Sequence, residues 1–190
     1  MSETNEAMRL RALAHPIRWK LIDVLGSELS ATATRCAEVT GESVASCSYH
    51  LGILAKYGYI ELVPDQPGRE KPWRLTSTRQ ELSAEPDDEA GSLAAEAAIE
   101  VFLDHELGRI KDRLRRRDLE PPEWRATWLI TGSSMWVTAA ELSEIKQELI
   151  GIANRYTDRE SDPASRPEGA RESRVFAHTS VAPEVPGRTS

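Results

Sequence analysis

Residues 32–60, TATRCAEVTGESVASCSYHLGILAKYGYI, decide the fold, because two short helical patterns lie on either side of one glycine. In the pattern before Gly41, Thr32 or Thr34 is in position to cap the start of a helix. After Gly41, Ser43 can cap a second helix, in which apolar residues recur at spacings of three and four: Val44, Cys47, Leu51 and Leu54. A short helix, a tight turn and a second helix are the layout of a helix-turn-helix, which reads duplex DNA.

The second helix of this pair has a polar face opposite its apolar stripe. Short or planar hydrogen-bonding side chains, which reach base edges and phosphates in a major groove, dominate that face. The residues predicted to contact DNA from this helix and its cap are Ser43, Val44, Ala45, Ser46, Ser48, Tyr49, His50 and Lys56. Because the face between residues 46 and 56 carries one lysine and no arginine, a protein partner in place of DNA is the alternative.

Two further helical patterns precede this pair. Apolar residues from Ala7 onward predict a short helix that ends at His15, since a residue before proline is pushed out of the helical region. Pro16 opens the next helix, which Gly26 ends or weakens. The four patterns together predict a compact helical core.

Beyond Gly58 the apolar period changes to two, which is typical of strands. Residues 59–63 and 71–76 flank a turn signal at 65–68, and the three segments predict a β-hairpin. Arginine and lysine in such a hairpin supply affinity for the sugar-phosphate backbone without base specificity. The hairpin residues predicted to contact DNA are Arg69, Lys71 and Arg74.

Three separated motifs resemble the ArsR family of bacterial winged-helix transcriptional regulators: LxALAHPxR at 10–18, SxHL at 48–51 and LxKYGYI at 54–60. The resemblance covers about residues 8–78. It implies a winged helix-turn-helix in which residues 43–50 enter the major groove and the hairpin at 68–74 is the wing. The family often works as homodimeric repressors released by a ligand or metal.

The chain departs from the thiol-using metal sensors of that family. Those sensors carry Cys-x-Cys on the helix before the turn, where this chain has Thr32 and Thr34, and hydroxyls do not replace thiolates as ligands for soft metals. Both cysteines lie on apolar stripes, as expected for buried thiols in a reducing cytoplasm. Buried thiols and hydrogen-bonded histidines are therefore favoured over a metal site made by Cys36, Cys47, His15 and His50, and neither a metal nor a cofactor is expected.

The segment after the hairpin begins with a polar, acidic stretch at 79–92, which is predicted to be a connector. A long helix is predicted from residue 92 to about 117, with apolar residues spaced nearly as in a heptad. A second copy of the same helix is the economical partner for this seam, which consists of Ile99, Leu103, Leu107, Ile110 and Leu114. The arginines at the end of the helix suit its negative terminus, with a phosphate contact as the alternative.

Residues 93–158 as a whole are predicted to be a dimerisation and effector region. Two strands around a turn are predicted over 124–137, and a capping box at Thr138 and Glu141 opens an amphipathic helix. This order is similar to the C-terminal extension of some actinobacterial ArsR-like regulators. The same region contains three tryptophans, Trp124, Trp128 and Trp136. They could line a small-molecule pocket, because aromatic walls suit flat apolar effectors. The alternative is that they belong to the core or to a dimer interface. Residues 159–190 are predicted to be a disordered tail.

The net charge of −7 is unevenly distributed along the chain. Residues 1–80 hold ten Lys/Arg against nine Asp/Glu, whereas residues 81–190 hold fourteen against twenty-two, so the acidic total does not exclude DNA. The chain lacks a Gly-rich phosphate loop, an HExxH motif and a nucleophile within a family motif, so an enzyme is not expected. Without an apolar leader or a long apolar run, the chain is expected to be cytoplasmic and not to span a membrane.

The sequence thus predicts a mainly α protein with a small β-wing, of the α+β class. A winged helix-turn-helix over 7–78 is followed by a long dimerisation helix, a β-hairpin and an amphipathic helix. The predicted function is a DNA-binding transcriptional regulator, a homodimeric repressor that reads an inverted-repeat operator with the helix around 43–55 and the wing at 68–74. A winged-helix adaptor that binds a protein partner is the alternative.

Overall fold

The computed structural model describes residues 5–64, 70–78, 80, 82–85 and 87–181. This part of the chain is mainly helical and contains one small two-stranded antiparallel sheet, as predicted. Its helices and strands, in chain order, are α1 Asn5–Arg11, α2 Pro16–Glu28, α3 Ala33–Thr40, α4 Val44–Lys56, β1 Ile60–Leu62, β2 Trp73–Leu75, α5 Glu89–Arg116, α6 Pro122–Arg125, α7 Ala139–Asn154 and α8 Asp158–Ser161. Two 3-10 turns occupy Arg117–Leu119 and Pro163–Ser165.

The main core lies in the first of two compact units, residues 1–128. Apolar residues of α2, α3 and α4 meet in it, together with Tyr59 and Ile60 at the start of the hairpin. Each large aliphatic side chain removed from water in this way contributes about 1.5–3 kcal/mol to folding. The side chains with at most 1% exposure in this cluster are Leu13, Leu21, Leu25, Cys36, Cys47, Leu51, Leu54 and Ala98.

The first two helices differ in length from their predicted bounds. α1 ends at Arg11, four residues before His15, while α2 begins with Pro16 as predicted. Gly26 does not end α2, which continues to Glu28. A Cβ on Gly26 would lie 3.7 Å from the Leu75 side chain, so α2 and the hairpin approach closely at this glycine.

The two strands of the predicted hairpin are confirmed, although each is three residues long. Ile60 pairs with Leu75 and Leu62 with Trp73. Ala31, just before α3, forms a bridge to the other edge of β2, because its N–H donates to the Trp73 carbonyl at 3.0 Å and its carbonyl accepts from the Trp73 N–H at 2.8 Å. The turn predicted at 65–68 lies outside the described residues.

α5 belongs to the first compact unit, whereas the sequence placed it outside the winged domain with a second copy as its partner. It begins at Glu89, inside the predicted connector, and packs along α1 and against α2. Ala94, Ala95 and Ala98 are buried in this contact. Their small side chains let the helices approach closely. This face of α5 is therefore covered within the chain, while a second copy as the partner of the predicted seam stays a prediction.

The second compact unit, residues 129–190, contains α7, and the predicted capping box is confirmed there. Thr138 Oγ1 accepts a hydrogen bond from the Glu141 N–H at 3.3 Å, and Glu141 Oε2 accepts one from the Thr138 N–H at 2.7 Å. α7 has no buried residue. No described helix is both long enough and apolar enough to cross a membrane.

The two strands predicted over 124–137 are wrong. α6 covers Pro122–Arg125, and residues 128–137 form neither helix nor strand. Pro122 at the first helical position favours the helix, and an isolated two-stranded hairpin is marginal in water. The segment predicted as a tail starts with α8 and a 3-10 turn, and residues 166–181 are exposed without regular structure.

Candidate nucleic-acid interface

Three local hydrogen-bonding features hold α3 and α4 at a sharp turn. Thr32 Oγ1 accepts from the Arg35 N–H at 3.1 Å and so caps α3. Gly41 ends α3 with φ +75°, a left-handed conformation that glycine adopts at little cost. Ser43 Oγ accepts from the Ser46 N–H at 3.1 Å and caps α4. The sequence predicted all three, since Thr32 was one of two candidates for the first cap.

The predicted outward face of α4 is exposed, with two differences from the predicted residue set. Tyr49 is 63% exposed, and the other exposed members of the set are Ser43, Val44, Ala45, Ser48 and Lys56. Ser46 is half-buried. Gly52, which the sequence reasoning did not select, lies in the middle of this face, four residues from both Ser48 and Lys56. A Cβ at Gly52 would meet nothing within 4 Å, so the face has a low, open centre.

The predicted outward position of His50 is wrong. Its side chain is 8% exposed and lies on the inner side of α4 with Cys47, Leu51 and Leu54. Burial, followed by the nearby charges of His15 and Arg18, lowers the pKa of His50. Positions 47, 50, 51 and 54 share one face at helical spacing, and this spacing is the signal that could have placed His50 inside.

The hairpin carries basic residues with different surroundings. Arg74 stands opposite Glu61 in the strand register, and its Nη2 lies 2.6 Å from Glu61 Oε1, so its charge is already paired. Lys71 is exposed. Arg69 lies outside the described residues. Among the described residues of the hairpin, Lys71 is therefore the basic residue that is exposed and has no carboxylate at salt-bridge distance.

The hairpin is also tied to the first helix of the pair. Glu70 Oε1 accepts a hydrogen bond from the Thr34 N–H at 2.9 Å, in the first turn of α3. A carboxylate at a helix N-terminus is stabilised by the unpaired N–H groups and the helix dipole. Together with the bridge between Ala31 and Trp73, this contact fixes the hairpin beside α3 and α4.

A cleft of about 300 Å³ lies between the hairpin and the two helices. It brings Ser48, a predicted groove residue, next to Lys71, a predicted wing residue. The side chains that line it are Ala33, Ser48, Leu62, Glu70, Lys71 and Trp73. The exposed face of α4 and the hairpin thus border the same cleft, through Ser48 on α4 and Lys71 on the hairpin.

The predicted dimerisation seam lies on the open side of α5. Ile99, Leu107 and Leu114 are 38%, 48% and 42% exposed, and Leu103 and Ile110 are half-buried. An apolar row at this exposure is available to a partner, while the opposite face of α5 is covered by α1 and α2. Self-association through the seam stays a prediction.

The covered face of α5 also holds a charged cluster that sequence reasoning did not find. His105 Nε2 lies 2.7 Å from Asp23 Oδ2 on α2, and Arg109 forms an ion pair with the same carboxylate. Burial by itself raises the pKa of Asp23, but the hydrogen bond with His105 and the charge of Arg109 outweigh burial and hold the pKa below its ordinary value. The cluster fastens the middle of α5 to α2.

The three tryptophans of the predicted effector pocket have different surroundings. Trp124 on α6 and Trp128 just after it belong to the first compact unit and are half-buried. Trp136 belongs to the second unit and is 86% exposed. An effector pocket made by these residues stays a prediction.

Both cysteines are free and buried, as predicted. Burial raises the pKa of the Cys36 thiol to about 11, so the thiol is protonated at neutral pH. Within the described ranges, no group of three or more His, Cys, Asp or Glu side chains is arranged to hold a metal ion.

No family model matches the chain, and no curated protein sequence matches it. The resemblance to ArsR regulators therefore stays a prediction based on three motifs.

Proposed function

We propose that this chain is a DNA-binding transcriptional regulator of the ArsR type, a homodimeric repressor that reads an inverted repeat. α1 to β2 form the winged helix-turn-helix, with α4 as the reading helix and the hairpin as the wing. One observation carries the proposal: α4 is anchored by a buried apolar face and exposes a polar face that borders the same cleft as Lys71 of the hairpin.

The exposed face of α4 suits a major groove in size and chemistry. An α-helix with its side chains is about 10–12 Å across, and the major groove is about 12 Å wide, so α4 can lie in the groove. Ser48 and Tyr49 offer hydroxyl groups to base edges, and Lys56 offers a charge to a phosphate. The open space above Gly52 lets the helix backbone approach the base pairs.

The electrostatic contribution is small because Arg74 is already paired with Glu61. With Lys56 and Lys71 as the phosphate contacts, a dimer makes four. Since each neutralised phosphate contributes about −0.9, the slope of log K against log salt concentration is expected to be about −4. The exposed seam of α5 is the surface through which two protomers associate. In such a dimer the two DNA half-sites are expected about 34 Å apart or a multiple of that distance.

The experiment is a fluorescence-polarisation titration of the full chain against a random-duplex pool at rising salt, with bound duplexes recovered and sequenced. Enrichment of an inverted repeat with a salt slope near −4 supports the proposal. Tyr49→Ala and Ser48→Ala are expected to change the sequence preference. Lys71→Ala is expected to weaken binding to all duplexes alike and to lower the salt slope by about 2 per dimer.

Lys146→Ala provides the matched control, because Lys146 is an exposed lysine on α7 that lies outside the proposed surface. If Lys71→Ala and Lys146→Ala bind duplex equally well, the assignment of the hairpin to the DNA backbone is wrong.

A winged-helix adaptor that binds a protein is the second candidate. The observation that favours it is the acidity around the same surface, where Glu61 pairs with Arg74 and Glu70 lines the cleft beside Lys71. Absence of duplex binding at low salt, together with a stable protein partner that co-purifies with the chain and is released by Tyr49→Ala, would favour the adaptor.

A further inference from the structure

Arg18 connects the inner face of α4 to the end of α1. Its side chain is half-buried in the first turn of α2. Arg18 Nη1 donates to the carbonyl oxygens of Ala12 at 2.7 Å and Arg11 at 3.4 Å, and Arg18 Nε donates to His50 Nδ1 at 3.3 Å. The corner between α1 and α2 is thus fastened to α4 through an arginine and an imidazole.

The hydrogen bond between Arg18 and His50 exists only while the imidazole is neutral. Nδ1 can accept a hydrogen bond when it carries no proton, which places the ring proton on Nε2. A second proton would add an N–H at Nδ1, directly facing the N–H of Arg18, and would set two positive charges against each other. Protonation of His50 therefore breaks this contact.

The groups around His50 set the pH range of that change. Arg18 on α2, the His15 ring at 4.5 Å, Glu42 in the turn before α4 and Tyr49 on α4 itself face or adjoin it. Burial, His15 and Arg18 lower the pKa of His50, and Glu42 opposes them. The ring is therefore neutral at pH 7.5 and takes up a second proton only below the ordinary histidine pKa of about 6.5.

His50 is also in contact with the exposed face. The Tyr49 ring stands edge-on to the His50 ring, with centroids 5.1 Å apart and planes at 77°. Because Tyr49 is 63% exposed at the centre of the proposed reading surface, a shift of the His50 ring reaches that surface directly.

We propose that Arg18 is a positioning residue that holds α4 in its DNA-reading orientation by donating to the neutral ring of His50. Protonation of His50 releases α4, so that duplex binding weakens in mild acid. This inference rests on the proposed function of α4 and adds to it a control by pH.

The DNA experiment compares the full chain with His50→Gln between pH 8 and pH 5.5 at constant ionic strength. The glutamine side-chain oxygen can accept from Arg18 Nε but does not titrate, and both proteins gain the same general positive charge as the pH falls. The Kd of the native chain divided by that of His50→Gln is expected to be about 1 at pH 8 and to rise as the pH falls through the lowered pKa of His50, by at most tenfold per pH unit. A ratio that stays constant with pH overturns the proposal.

His15→Gln is the matched control, because it removes the neighbouring titrating ring and leaves the contact between Arg18 and His50 in place. This variant is expected to retain the pH dependence. Arg18→Gln is expected to weaken binding at pH 8 as well, and Arg18→Lys to restore part of it; thermal unfolding followed by circular dichroism identifies any variant that does not fold. Native affinity of folded Arg18→Gln at pH 8 would contradict the positioning role.

Imidazole ¹H–¹⁵N NMR spectra of the free protein test the same contact without DNA. The His50 signal, assigned by its loss in His50→Gln, is expected to show the tautomer with the proton on Nε2, and the amide signals of Ser48 and Tyr49 are expected to shift at the His50 midpoint. The other tautomer, or α4 amides that ignore this midpoint, would overturn the inference. If the NMR result is as expected but no variant binds duplex at pH 8, the proposed function fails while His50 still controls α4.

Discussion

α4 and α7 are two amphipathic helices with hydroxyl caps, yet they are covered to different degrees. α4 starts after Ser43 and buries Cys47, His50, Leu51 and Leu54. α7 starts after Thr138 with a complete capping box. It has a regular apolar row but no buried residue: Leu142, Ile145, Leu149 and Ile152.

The different burial of α4 and α7 shows that the formation of an amphipathic helix and the burial of its apolar face are two separate properties. A cap and a period of three to four determine where a helix begins and which face is apolar. They do not determine whether another element covers that face. Most of the stability of a helix in a protein comes from such cover, so the two helices are expected to respond differently to matched substitutions.

The largest expected difference is between Leu51→Ala and Leu149→Ala. Leu51 is 0% exposed, so its truncation leaves a cavity and lowers the free energy of unfolding by about 2–5 kcal/mol. Leu149 is half-buried on α7, and its truncation is expected to cost less than about 1 kcal/mol. Urea unfolding followed by tryptophan fluorescence measures both, because Trp19 lies in the core at 3% exposure. Equal losses would mean that the α7 stripe is covered in solution.

An intermediate effect is expected for Asp23→Asn, since α5 has one covered and one open face. Loss of the charged partner of His105 and Arg109 is expected to lower stability by about 1–3 kcal/mol at pH 7. The pKa of Asp23 is lowered in the fold, so the native carboxylate contributes its full stability above its unfolded pKa and loses it as the pH falls through the lowered value.

The stability difference between the native chain and Asp23→Asn should therefore be the same at pH 7 and pH 5 and should shrink only below the unfolded pKa of about 4, as measured by urea midpoints at pH 7, 5, 3 and 2. Asp112→Asn is the matched control, because Asp112 forms an exposed pair with Arg115 on the same helix and such pairs contribute less than about 1 kcal/mol. A loss in Asp112→Asn as large as that in Asp23→Asn would remove the distinction between the two faces of α5.

The smallest effects are expected from Gly52→Ala on α4 and Gly151→Ala on α7. An added Cβ meets nothing within 4 Å at either position, and alanine in a helix interior is more favourable than glycine by about 0.5–1 kcal/mol. Gly52→Ala is expected to raise the urea midpoint of the core, whereas Gly151→Ala is expected to raise helix content by circular dichroism without moving that midpoint. The methyl group that Gly52→Ala adds also lies on the proposed reading surface, so duplex binding of this variant should fall as its stability rises. Unchanged binding would argue against a close approach of this part of the α4 backbone to DNA.

The parts of the fold that the sequence predicted well are those set by neighbouring residues. The caps at Thr32, Ser43 and Thr138 and the left-handed Gly41 depend on a few adjacent backbone groups, and all four were identified. The hairpin strands followed from the alternation of apolar residues on both sides of a turn signal. The prediction of a mainly helical protein with a small sheet was correct, because it also depended on patterns among neighbouring residues.

The errors arose where a distant element decides the outcome. His50 was placed outside because it is polar, but Arg18, far away in sequence, supplies the hydrogen bond that makes its burial acceptable. The sequence reasoning assigned a partner to the leucine-rich row of α5 and none to its alanines, whereas Ala94 and Ala95 pack with residues of α1. The strands predicted around residue 130 rested on alternating apolar residues, but residues 129–137 are exposed and irregular in the structure.

The bridge between Ala31 and Trp73 has a consequence for how the domain opens. These two residues exchange two backbone hydrogen bonds, although both helices of the pair and most of the hairpin lie between them in the chain. The bridge therefore closes a long loop, and α3 and α4 cannot separate from the hairpin without breaking it. In hydrogen exchange, the amides of Ala31 and Trp73 should share one rate, and that rate reports the cooperative opening of this whole loop as a single folding unit.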